Sequence, residues 1–144
     1  MSQIQIIRLT ILSESRIEDI NTILDDGKVW DLEEGEKFLK NTNTIFLLAY
    51  YDNHPAGFLY GYLLQRFDKK KAEVLLYEIA VTEEYRQKGI GKALIEKLKI
   101  WTKGTNTDEI WVITNRSNIA GMKLYESAGG TIESSDEQMF TFKI

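Results

Sequence analysis

Hydrophobic positions along this chain change their period several times, and each change marks an element. Residues 3–9 form a short β-like run with isoleucines at positions 4, 6 and 7. Over residues 13–24 the apolar positions are Ile17, Ile20, Ile23 and Leu24, a helical spacing, with Ser13 or Ser15 as the cap and Asp25-Asp26-Gly27 as the stop. Residues 31–39 read as a second, short helix rich in acid. Apolar runs at 45–51 and 57–64, joined by Asp52-Asn53-His54-Pro55, predict a hairpin. A charged loop at 67–71 leads into a strand at 73–81. Ile90, Ala93, Leu94, Leu98 and Trp101 then form one apolar stripe of a helix that runs to Gly104. Residues 109–114 predict a buried strand, and 117–127 a helix with a capping serine and Gly129-Gly130 beyond its end. A last strand is expected at 139–144. The order β, α, α, β, β, β, α, β, α, β predicts an α/β fold, antiparallel in its first half, with a parallel crossover through the helix at 90–104. No repeat or linker divides the chain, so residues 1–144 are expected to form a single domain.

The most informative stretch is 77–98. Tyr77-Glu78-Ile79-Ala80-Val81 is an apolar strand carrying one carboxylate, and Arg86-Gln87-Lys88-Gly89-Ile90-Gly91-Lys92 is a basic, glycine-punctuated turn that opens a helix. Glycine lets a backbone approach a ligand without a Cβ in the way. The unpaired N–H groups of a helix's first turn, at its positive dipole end, suit an anion and above all a pyrophosphate. Arg86, Lys88 and Lys92 add charge where phosphate would sit. The plainer alternative is a strand-to-helix turn with a solvated basic face. The Gly-x-Gly-x-x-Gly dinucleotide pattern does not fit, since no third glycine follows at the required place. The phosphate loop of NTPases fails too, because Gly91-Lys92 precedes Ala93 rather than Ser or Thr.

Composition narrows the chemistry. With 144 residues and 43% hydrophobic content, the chain is long enough for one core. It has no cysteine, which removes disulfides, thiol nucleophiles and thiolate metal sites, and no metal is expected. The single histidine, His54, falls in the expected hairpin turn and is a poor triad candidate. A net charge of −4 argues against nucleic acid as a partner. No apolar run approaches the roughly 20 residues of a membrane span and no signal peptide is visible, so a cytoplasmic protein without a membrane partner is expected.

The run from Glu78 through Gly91 resembles the acetyl-CoA signature of the GNAT superfamily of N-acetyltransferases, Arg/Gln-x-x-Gly-x-Gly/Ala after a strand and before a helix. The element order agrees with that family along essentially the whole chain. The resemblance implies a mixed sheet with helices on both faces, an antiparallel N-terminal half, and a splayed parallel pair at 73–81 and 109–114 whose V admits the pantetheine arm. It implies acetyl-CoA as cosubstrate, held by the backbone of Ile79, Ala80 and Val81, by Arg86, Gln87, Lys88, Gly89, Ile90, Gly91 and Lys92, and by Asn118. Amine acetylation needs a base, a polarised carbonyl and an acid for the departing thiolate. Glu78 is the candidate base. On a strict two-residue period it shares a face with Leu76 and Ala80, where a carboxylate is costly unless solvated or paired. A solvated glutamate, or one paired with a structural arginine, is the alternative. Tyr125 is the candidate acid, within the family-like run Asn118-Ile119-Ala120-Gly121-Met122-Lys123-Leu124-Tyr125. The alternative for it is a half-buried core tyrosine.

Within the family, Phe46-Leu47-Leu48-Ala49, Leu64-Gln65-Arg66-Phe67-Asp68 and the tail 137–144 are similar to type I aminoglycoside 3-N-acetyltransferases. Two departures stand out: Thr141-Phe142-Lys143 replaces histidine-phenylalanine-aspartate, and Glu78 replaces a central-strand aspartate. A lysine in place of an acid would repel a polycation from a cleft it faced. The resemblance puts Asp26, Trp30, Asp31 and Glu34 on the acceptor side, together with Asp25, Glu33 and Glu36. The acids would attract a cation and Trp30 would wall the cleft, or the segment is simply an acidic helix complementing its own dipole. The expected acceptor is the primary amine of a small cationic molecule such as an aminoglycoside or polyamine. The competing readings are a protein N-terminus or lysine, and a non-catalytic acyl-CoA-binding module. Homodimers are common in the family, and no segment here marks an interface.

Overall fold

The computed structural model describes residues 2–24, 27 and 29–144. The elements are β1 (Ile4–Arg8), α1 (Glu14–Ile23), α2 (Leu32–Lys40), β2 (Thr44–Tyr51), β3 (His54–Leu64), β4 (Ala72–Val81), a single 3-10 turn at Glu83–Tyr85, α3 (Ile90–Lys103), β5 (Thr107–Trp111) and α4 (Ile119–Ser127). Ser13 caps α1 by accepting from the Arg16 N–H at 3.2 Å, and Ile17, Ile20 and Ile23 turn its apolar face inward. Asp31 caps α2 in the same way through the Glu34 N–H at 3.1 Å.

The five strands lie in the order β1-β2-β3-β4-β5, antiparallel except for the β4–β5 pair. The β2–β3 hairpin is tighter than the sequence implies. Its loop is Asp52-Asn53 alone, both with positive φ (47° and 68°), the conformation that two-residue hairpin turns require. His54 and Pro55 therefore belong to β3, and the register shift beside Tyr50 accommodates the proline, which has no N–H to give the ladder.

The sheet is covered on both faces, and the two coverings differ in kind. Against α3 and α4 lie Ile45, Leu47, Leu59, Val74, Leu76, Ile79 and Val81 with Ile90, Leu94 and Leu98. Against α1 and α2 lie Phe46, Leu48, Tyr50, Phe58 and Tyr60 with Trp30 and Phe38. Full burial of such a side chain contributes about 1.5–3 kcal/mol each, so both layers are needed to offset the chain entropy.

A β-bulge in β4 corrects the face expected for Glu78. Tyr60 pairs with Glu78 and Gly61 with Leu76, so Tyr77 is an extra residue on β4. Across it the alternation reverses: Leu76 packs with the α3 layer whereas Ala80 packs with the α1–α2 layer, despite their even spacing. Glu78 thus shares a face with Ala80 and Tyr60, not with Leu76. Gly61 permits this, because a Cβ there would collide with the Leu75 carbonyl oxygen.

Two further expectations change. The parallel strand opposite β4 begins earlier and ends sooner, at Thr107–Trp111 rather than 109–114. The strand expected at 139–144 does not form, and Met139, Phe140 and Phe142 are exposed. A strand exists only with a partner to complete its ladder, and β5, like β1, remains an edge of the sheet.

Candidate active site

The parallel ladder is short. β5 pairs only with Ala72–Leu75, and β4 continues to Val81 without a partner on that side. The Thr82 N–H donates to the Ala56 oxygen on β3 at 2.8 Å. By strand alternation Ala80 also points to β3, leaving Ile79 and Val81 directed into the opening between β4 and β5. The Val81 carbonyl is occupied by the Arg86 side chain, whose Nε donates to it at 3.2 Å. Of the three backbone candidates, Ile79 and Val81 therefore present N–H groups to the opening and Ala80 does not. Beside them the Thr82 hydroxyl oxygen is buried with no partner among the described residues.

The glycine turn follows at once. Gln87 and Gly89 both have positive φ (61° and 84°), and Gly89 is the N-cap of α3 with no side chain closing the helix start. A Cβ on Gly89 would meet nothing within 4 Å, so the turn opens to free space beside the uncapped N–H groups of Ile90, Gly91 and Lys92. This is a cradle for an anion and fits the pyrophosphate of acetyl-CoA. Arg86, Gln87, Lys88 and Lys92 are exposed around it, and the Lys88 ammonium sits 5.4 Å above the Tyr51 ring. Gly91 has a different reason to be glycine. It is buried, and a Cβ on it would press to 3.0 Å from Leu124 of α4, so its small size serves helix packing.

Two glutamates on β4 have opposite surroundings. Glu73 is buried with Arg66 at 2.6 Å and Lys69 at 3.3 Å, which hold its carboxyl below the ordinary range against the opposing effect of burial. Glu78, partly buried, has no ion pair among the described residues, and the structural-arginine alternative does not apply to it. Its neighbours are aromatic. Burial first, and then this nearby carboxylate, push the Tyr60 phenol well above its usual range. Tyr77 stacks on Tyr60 at 5.4 Å and meets Tyr62 edge-on at 5.6 Å, while Phe38 of α2 lies 5.5 Å from Tyr60 and 5.6 Å from Tyr62. The sequence reading missed these tyrosines. The alternation Tyr60-Gly61-Tyr62 and the tyrosine next to Glu78 were the available signal, hidden because the bulge brings residues 77 and 78 to one side.

Tyr125 is half-buried on α4, and burial raises its phenol, so it stays protonated at neutral pH. It lines a cavity of about 440 Å³ between α3, β5 and α4, with Ile110, Trp111, Val112 and Ala128. Neither Glu78 nor the glycine turn lines that cavity. Asn118 is the N-cap of α4: its Oδ1 accepts from the Gly121 N–H at 3.1 Å and its Nδ2 donates to Thr114 Oγ1 at 3.0 Å. A Cβ on Gly121 would overlap the Asn118 amide, which explains that glycine.

On the acceptor side, Asp25 and Asp26 lie outside the described residues. Asp31 is used as the α2 cap, and Glu34 pairs with Lys37 at 2.9 Å. Trp30 is not a free wall. Its backbone is fixed by the Asn21 amide, and its ring packs edge-on against Phe46, Phe58 and Tyr60 at 5.4–5.5 Å. Among the described residues no helix is long and apolar enough to cross a membrane.

Comparison with known proteins agrees with this geometry. A family model for the Acetyltransferase (GNAT) family matches residues 12–130. The N-alpha-acetyltransferase of Saccharolobus solfataricus is 30% identical over 128 residues, 80% of this chain and 76% of that protein. The ribosomal protein bS18-alanine N-acetyltransferase of Escherichia coli strain K12 is 37% identical over 57 residues, 40% of this chain. The match spans only 38% of the length of that E. coli relative. The aminoglycoside N-acetyltransferase AAC(6')-Iy in complex with CoA has the same fold, with a TM-score of 0.81 at 22% identity over 99% of this chain and 96% of that one. With the signature turn, the splayed parallel pair and a family match over residues 12–130, the chain belongs to the acetyltransferase (GNAT) family, the acetyl-CoA-dependent N-acetyltransferases that its glycine turn resembles.

Proposed function

We propose that the protein transfers an acetyl group from acetyl-CoA to a primary amine, and that this amine is the N-terminal α-amine of a polypeptide. The observation that carries the reaction is the end of β4. Its backbone runs free of β5 next to an uncapped helix start, and Glu78 stands on the opposite face of the same strand, toward α1 and α2. Bound acetyl-CoA supplies an acyl group activated as a thioester. The chain's part is to hold and polarise: the N–H groups of Ile90, Gly91 and Lys92 with the Arg86 and Lys92 cations hold phosphate, and the Ile79 and Val81 N–H groups are donors for the opening. Glu78 takes the proton from the ammonium, and the Tyr125 hydroxyl keeps a proton for the leaving sulfur.

The choice of acceptor rests on the local use of the acids. A polycation such as an aminoglycoside needs several uncommitted carboxylates, whereas Asp31 closes a helix and Glu34 neutralises Lys37. The archaeal relative that matches along most of its length acts on an α-amine by its name, while the aminoglycoside enzyme is similar in fold alone. Acetyl-CoA supply places the reaction in the cytoplasm. Acetyl-CoA turnover against short peptides with free N-termini, polyamines and aminoglycosides tests the proposal. Peptides are expected to be acetylated and their N-formylated forms inert. Turnover confined to polycations overturns the acceptor, and no turnover with any amine overturns the reaction.

A further inference from the structure

Elsewhere in the molecule, aromatic rings with cations over them find those cations in the chain itself. Arg8 lies 5.6 Å from the Trp101 ring, Arg16 5.4 Å from Tyr50 and Lys88 5.4 Å from Tyr51. The tyrosines on the same side of the sheet as Glu78 have no such partner among the described residues. Tyr77 is 60% exposed, which interior packing alone does not require. The bulge in β4 sets Tyr77 and Glu78 on the same side as Tyr60, and Tyr62 closes the group edge-on to Tyr77.

Resting on the amine-acetylation reading, we infer that Tyr60, Tyr62, Tyr77 and Glu78 form the receptor for the acceptor's ammonium group, and that it takes a singly charged primary ammonium. Tyr60 is itself stacked on Phe46 and on Tyr77, so the exposed Tyr77 ring is the face that attracts a cation through its quadrupole, most strongly when the site is partly desolvated. Glu78 supplies the one full counter-charge. Glu73, five positions earlier on the same strand, shows the alternative, a carboxylate neutralised by the chain's own Arg66 and Lys69. One carboxylate among three phenols matches one ammonium on an otherwise neutral body. The receptor also selects by protonation state: it collects the ammonium, and the same carboxylate then removes its proton.

Tetramethylammonium tests the receptor apart from the reaction, since it carries the charge but cannot be acetylated. Titrated into the full chain, it is expected to shift the tyrosine ring resonances in NMR and to compete with a peptide acceptor. The uncharged tert-butanol, of similar shape, should do neither. Tyr77→Leu should raise the acceptor KM about tenfold, with less than a threefold fall in kcat and unchanged acetyl-CoA affinity. Tyr77→Phe, which keeps the ring face, should recover most of the loss. If peptides are acetylated but tetramethylammonium neither shifts nor competes, or if Tyr77→Leu leaves KM unchanged, the receptor is overturned and the acetylation reading stands. If tetramethylammonium shifts the rings and no amine is acetylated, the receptor stands and the reaction fails.

Discussion

The two faces of the sheet bury side chains of different kinds, and the difference follows the division of labour at the site. Toward α3 the layer is aliphatic, Leu47, Leu59, Val74 and Leu76 against Leu94 and Leu98. It presses a rigid helix onto the strand that carries the glycine turn. Toward α1 and α2 it is aromatic: Phe46, Phe58 and Tyr60 form a stacked row that Trp30 and Phe38 meet edge-on. Aliphatic packing fixes geometry without polar demands. Aromatic packing leaves hydroxyls and ring edges at the rim that can recognise a ligand, while the inner rings remain core. The same strand serves both, since the bulge at Tyr77 hands its side chains from one layer to the other.

Truncation on each face breaks this comparison most directly. Leu94→Ala should cost about 2–5 kcal/mol of stability and Phe58→Ala about 3–5 kcal/mol, read from denaturant midpoints. The two should part in kinetics. In the folded population Phe58→Ala raises the acceptor KM, because Phe58 supports Tyr60, while Leu94→Ala leaves it alone. Equal effects on acceptor KM would mean that the aromatic face is only core.

Glu78→Gln removes the proposed base with little change of volume. It should lower kcat/KM by about 10²- to 10⁴-fold below the acceptor's pKa and by less as free amine accumulates at higher pH. Parallel pH–rate profiles for the two proteins would leave Glu78 as a binding charge alone.

The two glycines of the turn sharpen the same contrast. Gly91→Val presses on Leu124 and should cost about 1–3 kcal/mol in stability, loosening α4 from α3. Gly89→Val clashes with nothing and carries only the strain of positive φ, about 1–2 kcal/mol. Its main effect should be lost acetyl-CoA affinity, measured by calorimetry. A Gly91→Val protein as stable as wild type but unable to bind acetyl-CoA would reverse the two assignments. The smallest effect is expected for Asn118→Ala. Loss of the α4 cap should lower stability by about 1 kcal/mol, seen as a modest drop in Tm.

The order of elements up to the fourth helix was legible in the sequence, because period and capping are local properties. The isoleucines of 17, 20 and 23, the stripe from Ile90 to Trp101 and the Ser13 cap each depend on residues within a turn or two. The glycine turn was legible for the same reason: positive φ at Gly89 and an uncapped helix start are consequences of a few adjacent residues. What the sequence alone could not decide depends on partners distant along the chain. Whether 139–144 becomes a strand depends on an edge to pair with, and whether Gly91 answers to a ligand or to Leu124 depends on how α4 lies on α3. Asp31 and Glu34 resemble an acceptor site until one is seen to close a helix and the other to meet Lys37. Above all, one extra residue in β4 exchanges the faces of everything beyond it. Strict alternation places Glu78 with Leu76, and only the pairing with β3 turns it toward Tyr60.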